Sequence, residues 1–184
     1  MSDRIIIGID PGTTITGYGI ISCKGKKMSL LACGVIKLGS QKISHPEKLK
    51  KIFQRISSLV EDFGANEMAL EAPFHGKNVQ SMLKLGRAQG VAMAAGLIHD
   101  LPIFEYAPKK VKMAVTGSGS ASKEQVAKML ETHLGREIAS SYMDATDGLA
   151  VAVCHFFQGN FSQKNTNYKD WASFIENNPK RIKQ

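Results

Sequence analysis

Apolar positions along this chain keep two rhythms, and the switch between them marks its elements. Residues 4–10 ("RIIIGID"), 16–23 and 28–38 are short runs rich in β-branched residues, separated by Gly- or Lys-containing turns. They predict three strands in a meander. Residues 46–63 then change period: Leu49, Ile52, Phe53, Ile56, Leu59, Val60 and Phe63 recur at the three- and four-residue spacing of a helix. A short apolar run, "NEMALEAPF" (66–74), predicts a buried fourth strand stopped by Pro73.

The second half alternates further. Residues 77–99 predict a long helix, 102–107 a fifth strand, and 108–115 a short basic helix opened by Pro108. The glycine-serine stretch "TGSGSASKE" (116–124) leads into a helix over 123–134 that either Ser120 or Ser122 could cap, and a last helix covers 140–158. From Gly159 onward the chain is polar, with only Trp171, Phe174 and Ile175 hinting at an amphipathic turn. The pattern implies one α/β domain over 1–158, a mixed five-stranded sheet flanked by helices, and a polar C-terminal extension over 159–184. At 184 residues and 43% hydrophobic content, one such domain can bury a proper core.

Composition narrows the function. No run approaches the ~18 apolar residues of a membrane span, and the first residues lack a signal-peptide profile, so a cytoplasmic protein is expected. Cys23, Cys33 and Cys154 show no CxxC spacing and sit in apolar runs, as reduced core thiols do. A zinc site is therefore not expected. The 24 Lys and Arg residues outweigh 16 Asp and Glu, a net charge of +8 that favours a polyanionic partner. Residues 77–128 hold eight basic residues against three acidic, whereas 129–158 hold one basic against four acidic.

The acids are placed where chemistry could use them. Asp10 ends the first strand in "GIDPGTTITGYG", where it could hold a metal, sit beneath a nucleotide phosphate or simply start a turn. Glu71 ends the fourth strand. Strands joined by a crossover helix run parallel, so these two carboxylates would share the sheet edge at which open α/β sheets bind ligands. In "MDATDGLAVAVCH" (143–155), Asp144 and Asp147 are three residues apart and share a helix face, as ligands or as N-terminal caps. Four converging carboxylates repel one another by about 1 to 4 kcal/mol per close pair. A divalent cation relieves that repulsion. Oxygen-only ligands suit Mg²⁺ or Mn²⁺ rather than zinc, and two such ions about 3.5 to 4 Å apart hydrolyse phosphodiesters.

Taken in order, "GIDPGTTITGYG", "LEAPFHGKNVQSMLKLGRAQGVA", "FEYAPKKVK" and "DATDGLAVAVCH" resemble the RuvC-type Holliday junction resolvases over roughly residues 4–158. The resemblance implies a ribonuclease-H-like fold, a homodimer, and Mg²⁺-dependent paired nicks in four-way DNA junctions leaving 5′-phosphate ends, with two ions in each site. It also implies a branch-migration motor complex as partner. Carried over by position, the family's catalytic and metal-binding acids fall on Asp10, Glu71, Asp144 and Asp147. Its phosphate-contacting lysines fall on Lys112 and Lys123, and its junction-distorting aromatic on Phe74, whose ring could stack on an unpaired base or merely pack in its loop. Lys77, Lys84, Arg87, Lys109 and Lys110 complete the expected DNA-binding set. His75 stays open as a proton carrier. His155 is excluded, lying eleven residues beyond Asp144, about 16 Å along a helix. Gly86, Gly90 and Ala94 recur every fourth residue and could face either the chain's own sheet or a second subunit across a twofold axis.

Three other readings compete. "GIDPGTT" also resembles the first phosphate loop of actin-like ATPases, but that family clasps nucleotide between two such domains, and "GSGSASK" lacks the Gly that precedes the lysine of a Walker loop. A smaller ribonuclease-H-like group that processes ribosomal RNA precursors shares the opening strand; chain length and the "GKNVQSMLKLGRAQG" helix argue against it. A junction-binding protein without catalysis would not need four acids.

Overall fold

The computed structural model of the chain describes residues 4–39, 43–73, 78–138 and 143–162, with backbone alone at Met143, Asp144 and 160–162. Five strands form one sheet in the order β3-β2-β1-β4-β5. They are β1 (Arg4–Asp10), β2 (Ile15–Lys24), β3 (Lys27–Lys37), β4 (Glu67–Glu71) and β5 (Ile103–Tyr106). The meander pairs antiparallel, while β4 pairs parallel with both β1 and β5. The mixed sheet expected from the pattern is thus present.

Helices cover both faces. On one lie α1 (His45–Phe63) and α2 (Val79–Leu97), packed through Ile52, Ile56, Leu59, Ala88 and Ala92 against Ile7, Ile9, Ile20 and Leu70. On the other lie α3 (Pro108–Thr116), α4 (Lys123–Leu134) and α5 (Met143–Ser162), packed through Val111, Val126, Leu130, Leu149 and Val153 against Ile6, Ile21 and Ala69. Among the described residues, no helix is long and apolar enough to cross a membrane.

Local chemistry explains most boundaries. A capping box between Ser44 and Glu47 opens α1, and Gly64 in the left-handed region closes it. Of the two candidate serines, Ser122 caps α4: its hydroxyl accepts from the Gln125 N–H, and its own N–H donates to the Gln125 side-chain oxygen. β4 ends at Glu71, two residues before Pro73, as expected from the apolar run and its proline stop. α5 begins at Met143 and runs to Ser162, past the expected stop at 158. Trp171, Phe174 and Ile175 lie outside the described residues.

α5 lies unusually close to the sheet. A Cβ at Gly148 would stand 2.6 Å from the Gly17 and Tyr18 backbone, and a Cβ at Gly8 would stand 2.3 Å from the Gly148 carbonyl oxygen. A Cβ at Gly19 would meet Leu149 Cα at 2.4 Å. Three glycines therefore let the α5 backbone rest on β1 and β2, and Asp147 sits beside this contact. Farther along, α5 is pinned by polar bonds. His155 Nε2 is 2.6 Å from Glu67 Oε2 and its Nδ1 is 2.6 Å from the Tyr106 hydroxyl. Glu67 also takes two bonds from Arg4, at 2.7 and 2.8 Å. Burial opposes ionisation of Glu67, but the bonds from Arg4 and His155 hold its carboxyl below the usual range. An ionised carboxylate only accepts, so Nε2 carries the His155 proton and Nδ1 accepts from Tyr106.

Candidate active site

The strand register brings two acids to one edge. Ile9 pairs with Leu70 in the parallel β1–β4 ladder. One step further along the two strands stand Asp10 and Glu71. The turn after Asp10 is held shut: Thr16, fully buried, accepts from the Gly12 N–H at 3.2 Å and donates to its carbonyl at 3.1 Å. A Cβ at Gly12 would lie 1.9 Å from the Ile15 carbonyl oxygen, so this turn requires glycine.

A cavity of about 180 Å³ opens here, lined by Asp10, Pro11, Glu71, Ala72, Pro73, Leu85 and Gln89. Asp147 reaches the same region from α5, and Lys123 Nζ lies 2.6 Å from its Oδ2. Lys112 Nζ donates to the Ala121 carbonyl at 2.8 Å, which ties α3 to the loop before α4.

Glu71 records the electrostatics of this cluster. Burial is the largest influence and the negative charges of Asp10 and Asp147 add to it; Lys123 and Lys112 oppose them. The net result pushes its carboxyl up to about 7, from an ordinary 4.5. A half-buried acid so disfavoured as an anion sits where a cation would be welcome. The donor set is all oxygen, which fits Mg²⁺ or Mn²⁺ and not a thiolate-loving metal. Among the described residues, no three His, Cys, Asp or Glu side chains form a ready-made metal cage. The side chain of Asp144, the fourth expected acid, lies outside the described residues.

Other expected residues fall as follows. Phe74, His75 and Lys77 lie outside the described residues. Lys109, Lys110 and Lys123 are exposed on the α3–α4 side, and Lys110 Nζ stands 5.1 Å from the Tyr106 ring centroid. Lys84 and Arg87 are exposed on α2, across the sheet. The basic block of 77–128 is therefore split between two faces. His155 is engaged with Glu67 and Tyr106, away from the acids, as its spacing implied. Cys23, Cys33 and Cys154 are free thiols, and burial pushes Cys23 and Cys154 up to about 11.

The small-residue stripe of α2 faces away from the sheet. A Cβ at Gly86 or Gly90 would meet nothing within 4 Å, and Ala94 is exposed. Val79 and Leu83, 68% and 52% exposed, flank it. Packing on its own sheet uses Ala88, Ala92 and Ala95 instead.

Sequence reasoning missed Gln89 and the glycine contacts. Gln89 is a buried amide that lines the cavity and donates to Glu105 of β5. Nothing in its spacing marks it, whereas Gly148 directly after Asp147 was a signal, since a glycine inside a helix weakens it unless close packing needs it.

Comparison with known proteins gives a consistent result. A family model described as crossover junction endodeoxyribonuclease RuvC matches residues 6–155. A relative of that name from Christiangramia forsetii is 54% identical over 182 residues, covering 99% of this chain and 94% of the relative. One from Cytophaga hutchinsonii is 56% identical over 181 residues, covering 98% and 89%. Thermus thermophilus RuvC, solved in complex with a Holliday junction substrate, matches with a TM-score of 0.80 at 32% identity, covering 86% of this chain and 96% of that one.

Proposed function

Because the chain belongs to the RuvC family of crossover junction endodeoxyribonucleases, we propose that it resolves Holliday junctions by paired nicks made at the sheet edge that carries Asp10 and Glu71. The observation that carries this reading is the parallel β1–β4 register that sets Asp10 and Glu71 side by side at one sheet edge, lining an open cavity; burial and the charges of Asp10 and Asp147 push the Glu71 carboxyl up, as a site built for a cation would. Such a site is short of positive charge. Asp10, Glu71 and Asp147, with Asp144, would hold Mg²⁺ or Mn²⁺, two ions in each site. Once bound, the metal supplies a Lewis acid and an activated water for phosphodiester hydrolysis.

The chain's own groups do the rest. Lys123, paired with Asp147, keeps a cation beside the acids that can shift to an incoming phosphate. Lys112 brings a second positive charge to bear on Glu71 while anchored to Ala121. The exposed lysines of α3 hold the DNA backbone, a sequence-independent grip. Two coordinated cuts need two sites, so we assign the outward stripe of α2 to a homodimer contact. Residues 1–158 act as the nuclease unit and 159–184 as an extension to it. A branch-migration motor complex is the expected partner in the cell.

The test is an end-labelled synthetic four-way junction incubated with and without Mg²⁺, beside linear duplex and RNA controls. Symmetric metal-dependent nicks with 5′-phosphate ends are expected in the junction alone. Cleavage confined to RNA overturns the reading.

A further inference from the structure

Helix α1 carries charge that its own stability does not explain. Lys48, Lys50, Lys51 and Arg55 occupy its first three turns, while Glu61 and Asp62 occupy the last turn, which holds no basic residue. A helix macrodipole favours the reverse, by about 0.3 to 1 kcal/mol per charge at the surface. The one acid in the first turn, Glu47, is engaged in the capping box with Ser44.

The position of these cations is as informative as their sign. β3 runs parallel to β1 through the antiparallel β2, so its end at Lys37 and the start of α1 lie on the same edge as Asp10. Lys48 Nζ reaches the Thr13 carbonyl, at 3.5 Å, in the turn directly after Asp10. Lys50, Lys51, Gln54 and Arg55 are all exposed, on the side of α1 opposite buried Ile52, Ile56 and Leu59. As i, i+4 neighbours, Lys51 and Arg55 stand about 6 Å apart along the axis. The Arg55 guanidinium lies 6.0 Å from the Tyr18 ring centroid, which supports the side chain at the surface. No large apolar side chain on this face is exposed, so it offers no anchor for a membrane or a hydrophobic partner.

We propose that the solvent face of α1, through Lys50, Lys51 and Arg55, holds the phosphate backbone of one duplex arm of the junction where that arm leaves the cut. The proposal rests on the resolvase reading and extends it across the sheet, to the side opposite α3 and α4. A four-way junction is wider than one duplex, and cations on both faces of the catalytic edge match that width. A face dominated by lysine and arginine suits contact with phosphate, which positions a duplex without reading its bases.

Two triple variants of equal charge test it: Lys50→Ala/Lys51→Ala/Arg55→Ala on α1, and Lys24→Ala/Lys26→Ala/Lys27→Ala at the β2–β3 hairpin tip on the far edge of the sheet. Junction cleavage at varied substrate concentration gives KM and kcat, and fluorescence anisotropy in chelator gives the salt dependence of junction binding. The α1 variant should raise KM at least tenfold, with the loss confined to KM, and make the log–log salt slope shallower by about 2 to 3. The hairpin variant should keep KM within twofold of wild type. Wild-type KM and slope in the α1 variant overturn the proposal, as do equal losses in both triples. Failure of wild type to cut junctions overturns the resolvase reading, while the binding slopes still decide the role of α1.

Discussion

Replacing Glu71 by Gln should stabilise the metal-free protein. The carboxyl ordinarily titrates at 4.5 and is pushed up to about 7 by burial, Asp10 and Asp147. At about 1.4 kcal/mol per tenfold change in the proton equilibrium, the anion would cost the folded state at most about 3.5 kcal/mol. Glu71 is only partly buried, and solvent screening reduces that to about 1 to 2 kcal/mol. Gln has the same shape and no charge. In a domain of this size, 1 kcal/mol moves the melting midpoint by roughly 2 to 4 °C, so the variant should melt about 2 to 8 °C higher.

The pH dependence follows from the direction of the shift. Below 4.5 the carboxyl is protonated in both the folded and the unfolded chain, and the substitution changes nothing. Between 4.5 and about 7 the unfolded chain releases its proton first, so the wild type loses stability relative to the variant. Above 7 the full difference is present. The assay is a pair of melts across pH 4 to 8.5 in chelator. An offset that is the same at pH 4 and pH 8, or a variant that melts below wild type at pH 8, would refute the electrostatic account of the site. Added Mg²⁺ should then raise the wild-type midpoint at pH 8 more than that of the variant, because ligand bound to the folded state stabilises by mass action.

Three further outcomes are expected. Gly148→Ala, whose Cβ would meet backbone at 2.6 Å, should lift α5 off β2, lower stability by about 1 to 3 kcal/mol and reduce cleavage at least tenfold; a wild-type melt and rate would show that the contact can relax. Asp10→Asn should leave junction binding in a gel shift intact while cleavage falls by several orders of magnitude; normal cutting by the folded variant would return Asp10 to a turn former. Gly90→Leu, on the outward stripe of α2, should shift sedimentation toward monomer at micromolar concentration, with little change in melting of the monomer; a dimer unchanged by this substitution would place the contact elsewhere.

What could be read from the chain beforehand was whatever depends on period and on connection rules. Asp10 and Glu71 could be brought together on paper because a crossover helix makes the two strands parallel and both acids end apolar runs. Which serine capped α4 could not be decided from serine alone; Gln125 decides it by accepting from the Ser122 N–H. The basic block between 77 and 128 was visible as charge, but its division between the α2 and α3–α4 faces depends on which way the chain crosses the sheet. Gln89 was illegible for a similar reason: the acceptor that satisfies its buried amide, Glu105, lies sixteen residues away on β5. Gly86 and Gly90 read equally well as packing on the chain's own sheet or against a second subunit until the alanines at 88, 92 and 95 were seen to take the sheet-facing side.

Placing acids close together normally invites the structure to yield, since a helix carrying Asp147 could slide or tilt until the repulsion fades. Here it is held at two points. Near the acids, the Gly148 backbone rests on Gly17 and Tyr18, where there is no side chain to compress. Roughly 11 Å further along at 1.5 Å per residue, His155 is bonded to Glu67 and Tyr106, on β4 and β5. The first contact fixes the distance of the helix from the sheet, and the second its rotation and register. With both freedoms removed, the repulsion has no mechanical outlet, and it adds to burial, the larger influence, in keeping a proton on Glu71 up to about 7. That is the condition a metal-dependent nuclease needs: oxygen ligands kept close before the cation arrives, so that its binding displaces a proton instead of reorganising the fold.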